Sequence, residues 1–122
     1  MRRNCLIVDD SRVARHFARK LLEGPKFAIQ EAADGELALK ACANGMPDLI
    51  LLDWNMPVMN GIEFLRKLRV MSQGSRPVVL FCTTESQLDR VVEALEAGAN
   101  EYIMKPFDAD ILTSKLALMG ID

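Results

Sequence analysis

Thiols, imidazoles and large aromatic rings are scarce in this chain of 122 residues. The three cysteines, Cys5, Cys42 and Cys82, are odd in number and nowhere form a CxxC pair, which argues against a disulfide framework or a zinc site. They read as reduced core residues, where a free cysteine packs as a small hydrophobe. The one histidine, His16, has no second imidazole with which to share a metal and reads as a surface residue of a charged helix. An apolar stretch long enough for a signal peptide is also missing. The start, "MRRNCLIVDD", offers only Leu6, Ile7 and Val8 before the acids. Nor is there a basic cluster: "RVARHFARK" is spread along a helix and the net charge is −2, which argues against direct nucleic-acid binding. These absences leave a protein expected in the cytoplasm, with no membrane insertion.

Half of the residues are hydrophobic, enough at this length for one domain with a real core. Short apolar runs alternate with amphipathic stretches, without internal repeat or low-complexity segment. "NCLIVDD" reads as a strand. "SRVARHFARKLLEG" follows as a helix with Val13, Phe17 and Leu21 on one stripe and Gly24-Pro25 as its stop. "FAIQEAAD" is a weaker strand, "GELALKACANG" a helix, "DLILLD" a third strand and "GIEFLRKLRVM" a third helix. "RPVVLFCTT" is a strand rich in β-branched residues. "SQLDRVVEALEAG" is a helix expected to turn Leu88, Val91, Val92 and Leu95 inward, "EYIMK" a short fifth strand, and "DADILTSKLALMG" the last helix. Five strand-helix pairs with unbroken apolar third and fourth strands imply an α/β fold, a doubly wound five-stranded parallel sheet with five helices. Right-handed crossovers bring every strand's carboxyl end to one edge, where such a sheet binds its ligand.

Asp9 and Asp10 end the first strand, Asp53 the third, Thr83 and Thr84 the fourth, and Lys105 the fifth. Three converging carboxylates hold either protons or a cation. Hard oxygen donors favour Mg2+, which takes one or two carboxylates plus a phosphate and keeps several waters. Lys105 can pair with the acids at rest and with a phosphoryl oxygen when one arrives, and Thr83 can donate to the same group. Asp53 is then a nucleophile that takes a phosphoryl group.

"VDDSR", "LLDWNMPVMNG", "FCTTE" and "YIMKPF", in this order and spacing, resemble the receiver domain of two-component response regulators, over essentially the whole of residues 1–122. The resemblance implies the strand order 2-1-3-4-5 and a stand-alone receiver without an output domain. It makes Asp53 the phosphoacceptor, with Asp10, Asp53 and the Asn55 backbone carbonyl as ligands to Mg2+ and Asp9 acting through water. Lys105 and Thr83 would hold the phosphoryl oxygens. Asn55 and Glu85 stand at positions that tune hydrolysis, and the Lys105–Pro106 bond is commonly cis in the family. Thr83 and Tyr102 would form a switch, read by a downstream protein target at the face made by the fourth helix, fifth strand and last helix. Met104 and Met119 would edge that face, and Tyr102 is otherwise an ordinary sheet-edge residue. The phosphodonor would be a histidine kinase or a histidine phosphotransfer protein, with Arg12, Arg15 and His16 as contact positions on the first helix or, equally, as a solvated helical face.

Two rival readings compete, the second of similar topology. An aspartate-nucleophile phosphatase of the dehalogenase type wants its nucleophile on the first strand with a second acid two positions later, and "DDSR" lacks that spacing. A flavin-binding module wants a hydroxyl-rich phosphate loop where Asp9 and Asp10 stand.

Overall fold

The computed structural model describes residues 2–121. Its five strands are β1 (Arg3–Val8), β2 (Phe27–Ala32), β3 (Leu49–Asp53), β4 (Val78–Thr83) and β5 (Glu101–Met104). Each is followed by a helix: α1 (Arg12–Leu22), α2 (Gly35–Asn44), α3 (Gly61–Arg69), α4 (Arg90–Ala97) and α5 (Ala109–Leu118). All pairings are parallel, in the order β2-β1-β3-β4-β5, as expected.

Side chains alternate across each strand, and this divides the core into two layers. Leu6, Val8, Ile50, Leu52, Val79 and Phe81 face α2, α3 and α4, where Ala38, Cys42, Ile62, Leu65, Leu68 and Ala94 cover them. Cys5, Ile7, Leu49, Leu51, Leu80 and Cys82 face Ala18 and Leu22 of α1 and Leu112 and Leu116 of α5. β1, β3 and β4 therefore read as continuous apolar runs because both of their faces are buried. Fully burying one such leucine or phenylalanine contributes about 1.5–3 kcal/mol.

Polar residues mark the helix starts. Ser11, Asp34, Asn60 and Asp108 each accept a bond from a first-turn N–H, and Asn60 forms a reciprocal capping box with Glu63, satisfying donors that the helix cannot.

Two helix faces differ from the expectation. In α1 the stripe of Val13 and Phe17 lies outward, 79% and 48% exposed, while Ala18 and Leu22 pack on the sheet. Ala18 lets the helix approach the strands closely, and Leu22 is buried in the same layer. In α4 only Ala94 is buried; Val91 is half-buried, Val92 and Leu95 are exposed, and Leu88, which precedes the helix, is exposed too. α4 also begins later than its periodicity suggests, after a 3₁₀ turn at Glu85–Gln87.

Arg69, which nothing in its local sequence marks out, ties three segments together. Its guanidinium donates to the carbonyls of Gly74 (2.9 Å), Pro77 (2.8 Å) and Gly98 (2.7 Å from Nη2), and to Asn100 Oδ1 (3.1 Å). Gly98 takes a left-handed φ of 118° at the end of α4, with the Arg69 stem against it.

Candidate functional site

The carboxyl ends of β1, β3 and β5 bring Asp9, Asp10, Asp53 and Lys105 together. Asp9 follows the last residue of β1, and its N–H donates to the Ala32 carbonyl of β2 at 3.1 Å. Asp53 ends β3 in register with Cys82 of β4. One carboxylate oxygen from each of Asp9, Asp10 and Asp53 lies within 4.8 Å of the others. Lys105 Nζ donates to Asp9 Oδ2 at 2.8 Å and to Asp53 Oδ1 at 3.0 Å. One ammonium thus serves two acids, while Asp10 is exposed.

Burial pushes the Asp53 carboxyl above its ordinary value; the Lys105 charge opposes this, and the charges of Asp9 and Asp10 add to it. For Lys105, burial disfavours the ammonium, but the hydrogen bond it donates to Asp9 and the charge of Asp53 outweigh it and hold the group above its ordinary range. The lysine therefore stays protonated across neutral pH. The other reactive side chain nearby is inert: burial pushes the Cys82 thiol up to about 12, and a protonated thiol is neither nucleophile nor ligand.

The donor set suits a small hard cation, since three carboxylates and the adjacent loop offer oxygen only and no thiolate or imidazole. Asp9, Asp10 and Asp53 could hold it with the Asn55 carbonyl. Asn55 sits exposed in the β3–α3 loop. That loop closes tightly on Gly61, whose N–H donates to the Trp54 carbonyl at 2.9 Å. A Cβ at position 61 would collide with the Asp53 carbonyl oxygen, so the glycine lets α3 start directly against the acid's own backbone.

Thr83 is buried, and its hydroxyl lies 3.3 Å from the Thr84 carbonyl. It does not bond Asp53 or Lys105 in this state. Glu85 is exposed at the start of the 3₁₀ turn. Tyr102 is half-buried, packs against the α2–α4 layer, and has Lys115 Nζ 4.3 Å from its ring centroid; Lys115 also pairs with Glu101 at 3.4 Å. Met104 is exposed beside it, whereas Met119 is half-buried on the α1–α5 layer. Trp54 is stacked under Arg90 of α4 at 4.7 Å. The Lys105–Pro106 bond is cis.

The first-helix residues separate. Arg12 and His16 are exposed, beside an apolar cleft of about 550 Å³ that Val13, Phe17 and Phe107 line and that opens onto Asp53 and Lys105. Arg15 is turned inward, with 15% of its side chain exposed, onto Glu31 and the Asp9 carbonyl.

One loop residue is strained. Val58 has φ 69° and is 75% exposed, a left-handed conformation that a β-branched side chain disfavours. Val58→Asn is expected to gain about 1 kcal/mol, since asparagine tolerates this region at less cost. Urea unfolding would read the gain as a higher midpoint at unchanged slope; a midpoint at or below that of the wild type would mean that the loop carries no strain at Val58.

Residues 5–117 match the model of the response regulator receiver domain. The chain belongs to the response regulator receiver family. Among curated receivers it is 40% identical to the chemotaxis protein CheY of Pseudomonas aeruginosa, over 91% of this chain and 90% of that protein. It is 41% identical to CheY-3 of Vibrio cholerae, over 91% and 86%. A solved structure of Vibrio cholerae CheY4 covers both chains completely with a TM-score of 0.88 at 32% identity. The phosphatase and flavin-module alternatives fall away with this receiver assignment. Among the described residues no helix is long and apolar enough to cross a membrane.

Proposed function

We propose that this receiver is a single-domain response regulator whose Asp53 takes a phosphoryl group from the phosphohistidine of a histidine kinase or histidine phosphotransfer protein. The observation that carries this reading is the grouping of Asp9, Asp10 and Asp53 within 4.8 Å, with Lys105 bridging two of them.

In the proposed reaction an Asp53 carboxylate oxygen attacks phosphorus in line, the P–N bond to the donor imidazole breaks, and the imidazole leaves with the bonding pair and takes up a proton. Bound Mg2+ would supply charge neutralisation between the carboxylate and the incoming phosphoryl oxygens. Lys105 exchanges its bond to Asp53 for one to a phosphoryl oxygen, keeping its proton throughout. The Thr83 hydroxyl turns from the Thr84 carbonyl to donate to the same group. Asn55 and Glu85 flank the line along which water would attack the acyl phosphate and so set its lifetime. Movement of Thr83 opens space behind it for Tyr102, which shifts the population of the α4-β5-α5 face toward one packing that a downstream protein target reads. Exposed Leu95 and Met104 lie on that face. The donor would dock over the apolar cleft beside α1, with Arg12 and His16 at its rim. The reaction and both partners belong in the cytoplasm.

Incubation with acetyl phosphate and Mg2+ followed by intact-mass measurement tests the reading. The wild type is expected to gain one phosphoryl mass and Asp53→Asn none. A gain in the asparagine variant, or a modification mapped to another residue, would overturn it.

A further inference from the structure

Asp10 is the exposed member of the acidic group, and among the described residues no ion pair holds its carboxylate. Its direction is therefore set by its backbone. The peptide plane that carries Asp10's N–H is the one that carries the Asp9 carbonyl, and that carbonyl accepts a bond from Arg15 Nη1 at 2.8 Å. Holding the oxygen restrains that plane and so places the Asp10 Cα, while the Ser11 N–H, bonded to Asp9 Oδ1 at 2.9 Å, restrains the peptide on the other side; with both planes held, the Cα–Cβ bond of Asp10 has little freedom to turn.

Arg15 is itself held by a second fork. Its Nε donates to Glu31 Oε1 at 3.0 Å, and the other oxygen of Glu31 accepts from Arg19 Nε at 2.7 Å. Arg19 Nη2 in turn reaches the Ile29 carbonyl of β2 at 3.3 Å. The bond to Arg19, with that to Arg15 behind it, outweighs the opposing partial burial and holds the Glu31 carboxyl below its ordinary value, so Glu31 faces both guanidinium groups as a carboxylate at neutral pH. Every member sits on a rigid element, α1 or β2.

We propose that Arg15 is a positioning residue for the cation site: through the Asp9 carbonyl it aims the Asp10 carboxylate at Asp53, with Glu31 and Arg19 holding it in place. This rests on the function proposed above for the acidic group. It separates Arg15 from Arg12 and His16, which lie at the surface. It also has an electrostatic competitor, since a cation beside the site repels a divalent ion, and deleting that charge alone would tighten binding.

The test is Mg2+ titration followed by Trp54 fluorescence in the wild type, Arg15→Met, Arg15→Lys and Glu31→Gln. Thermal melts would establish that each variant is folded. Arg15→Met is expected to weaken Mg2+ binding about 10- to 100-fold, the range seen when groups orienting metal ligands are removed. Arg15→Lys keeps the charge but cannot make both arms of the fork, so it too should weaken binding; Glu31→Gln should weaken it less. Hydrogen exchange without metal should show the Asp10 and Ser11 amides faster in the Arg15 variants. Unchanged or tighter Mg2+ binding in Arg15→Met, or an Arg15→Lys variant equal to wild type, would overturn the positioning role. A wild type that binds no Mg2+ would instead overturn the proposed function, and the exchange measurement would still decide whether Arg15 holds the Asp9–Asp10 peptide.

Discussion

Asp53→Asn, kept free of divalent metal at pH 7, is expected to be more stable than the wild type by about 1–3 kcal/mol, the range for an imperfectly compensated buried polar group. Asp53 is mostly buried, with two like charges beside it and half of one ammonium. Its folded pKa stands above the ordinary value of 3.8, so protonation favours the folded state. That contribution is fully present below about pH 3.8 and is lost as pH rises through the folded value. Asparagine is neutral at every pH, so its advantage should open between mild acid and neutrality and close again in acid. Saturation with Mg2+ should reverse the order, since a ligand at about 100 times its Kd adds about 2.7 kcal/mol to the form that binds it. Thermal melts in chelator and in Mg2+, from pH 4 to 7, would measure this. An asparagine variant less stable than wild type in chelator at pH 7 would show that the resting site is already compensated by Lys105.

Arg69→Ala is expected to cost about 3 kcal/mol, near the upper end of single-residue effects. The reason is the number of partners left behind: the Gly74, Pro77 and Gly98 carbonyls and the Asn100 amide oxygen all lose a donor at once. Lysine at this position keeps the charge but offers one compact ammonium for a fan of acceptors spread over two connections, α3–β4 and α4–β5, so Arg69→Lys should recover less than half of the loss. Phosphoryl uptake at Asp53 should persist in any Arg69 variant that remains folded, because the staple sits at the far end of α3 from the acids. Denaturant unfolding decides the matter: a loss below 1 kcal/mol would mean that water replaces the guanidinium at little cost.

The strand half of the fold was legible from the sequence. Residues such as Leu49–Leu52 must be buried on both faces, and that requirement alone implies helices above and below the sheet. The strand ends were equally legible, because an acid or a lysine closing an apolar run has few places to go. Helix orientation was not. In α1 two apolar rows run side by side, Val13 with Phe17 and Ala18 with Leu22, and periodicity shows that a helix forms without choosing which row the sheet takes. The same ambiguity reversed Val92 and Leu95 on α4, and Leu88 just before it. Arg15 and Arg69 carry no local mark because they bond backbone carbonyls, which every residue possesses, and side chains far off in sequence, Glu31 and Asn100. In Arg69 those acceptors lie as far as Asn100, brought near only by the crossover from β4 to β5. The left-handed Val58 breaks a local preference beside the acids, and a sequence pattern reports preferences rather than exceptions.

The shallow anchoring of α4 has a mechanical consequence. An eight-residue helix moored to the sheet by one alanine loses little apolar contact when it slides or tilts, so the work of displacing it is small. In the switch proposed above, a rearranged hydroxyl at Thr83 would need to supply only a modest bias to repopulate the surface offered to a partner, whereas α3, pinned by five buried residues, would stay behind as the fixed wall against which that displacement is registered.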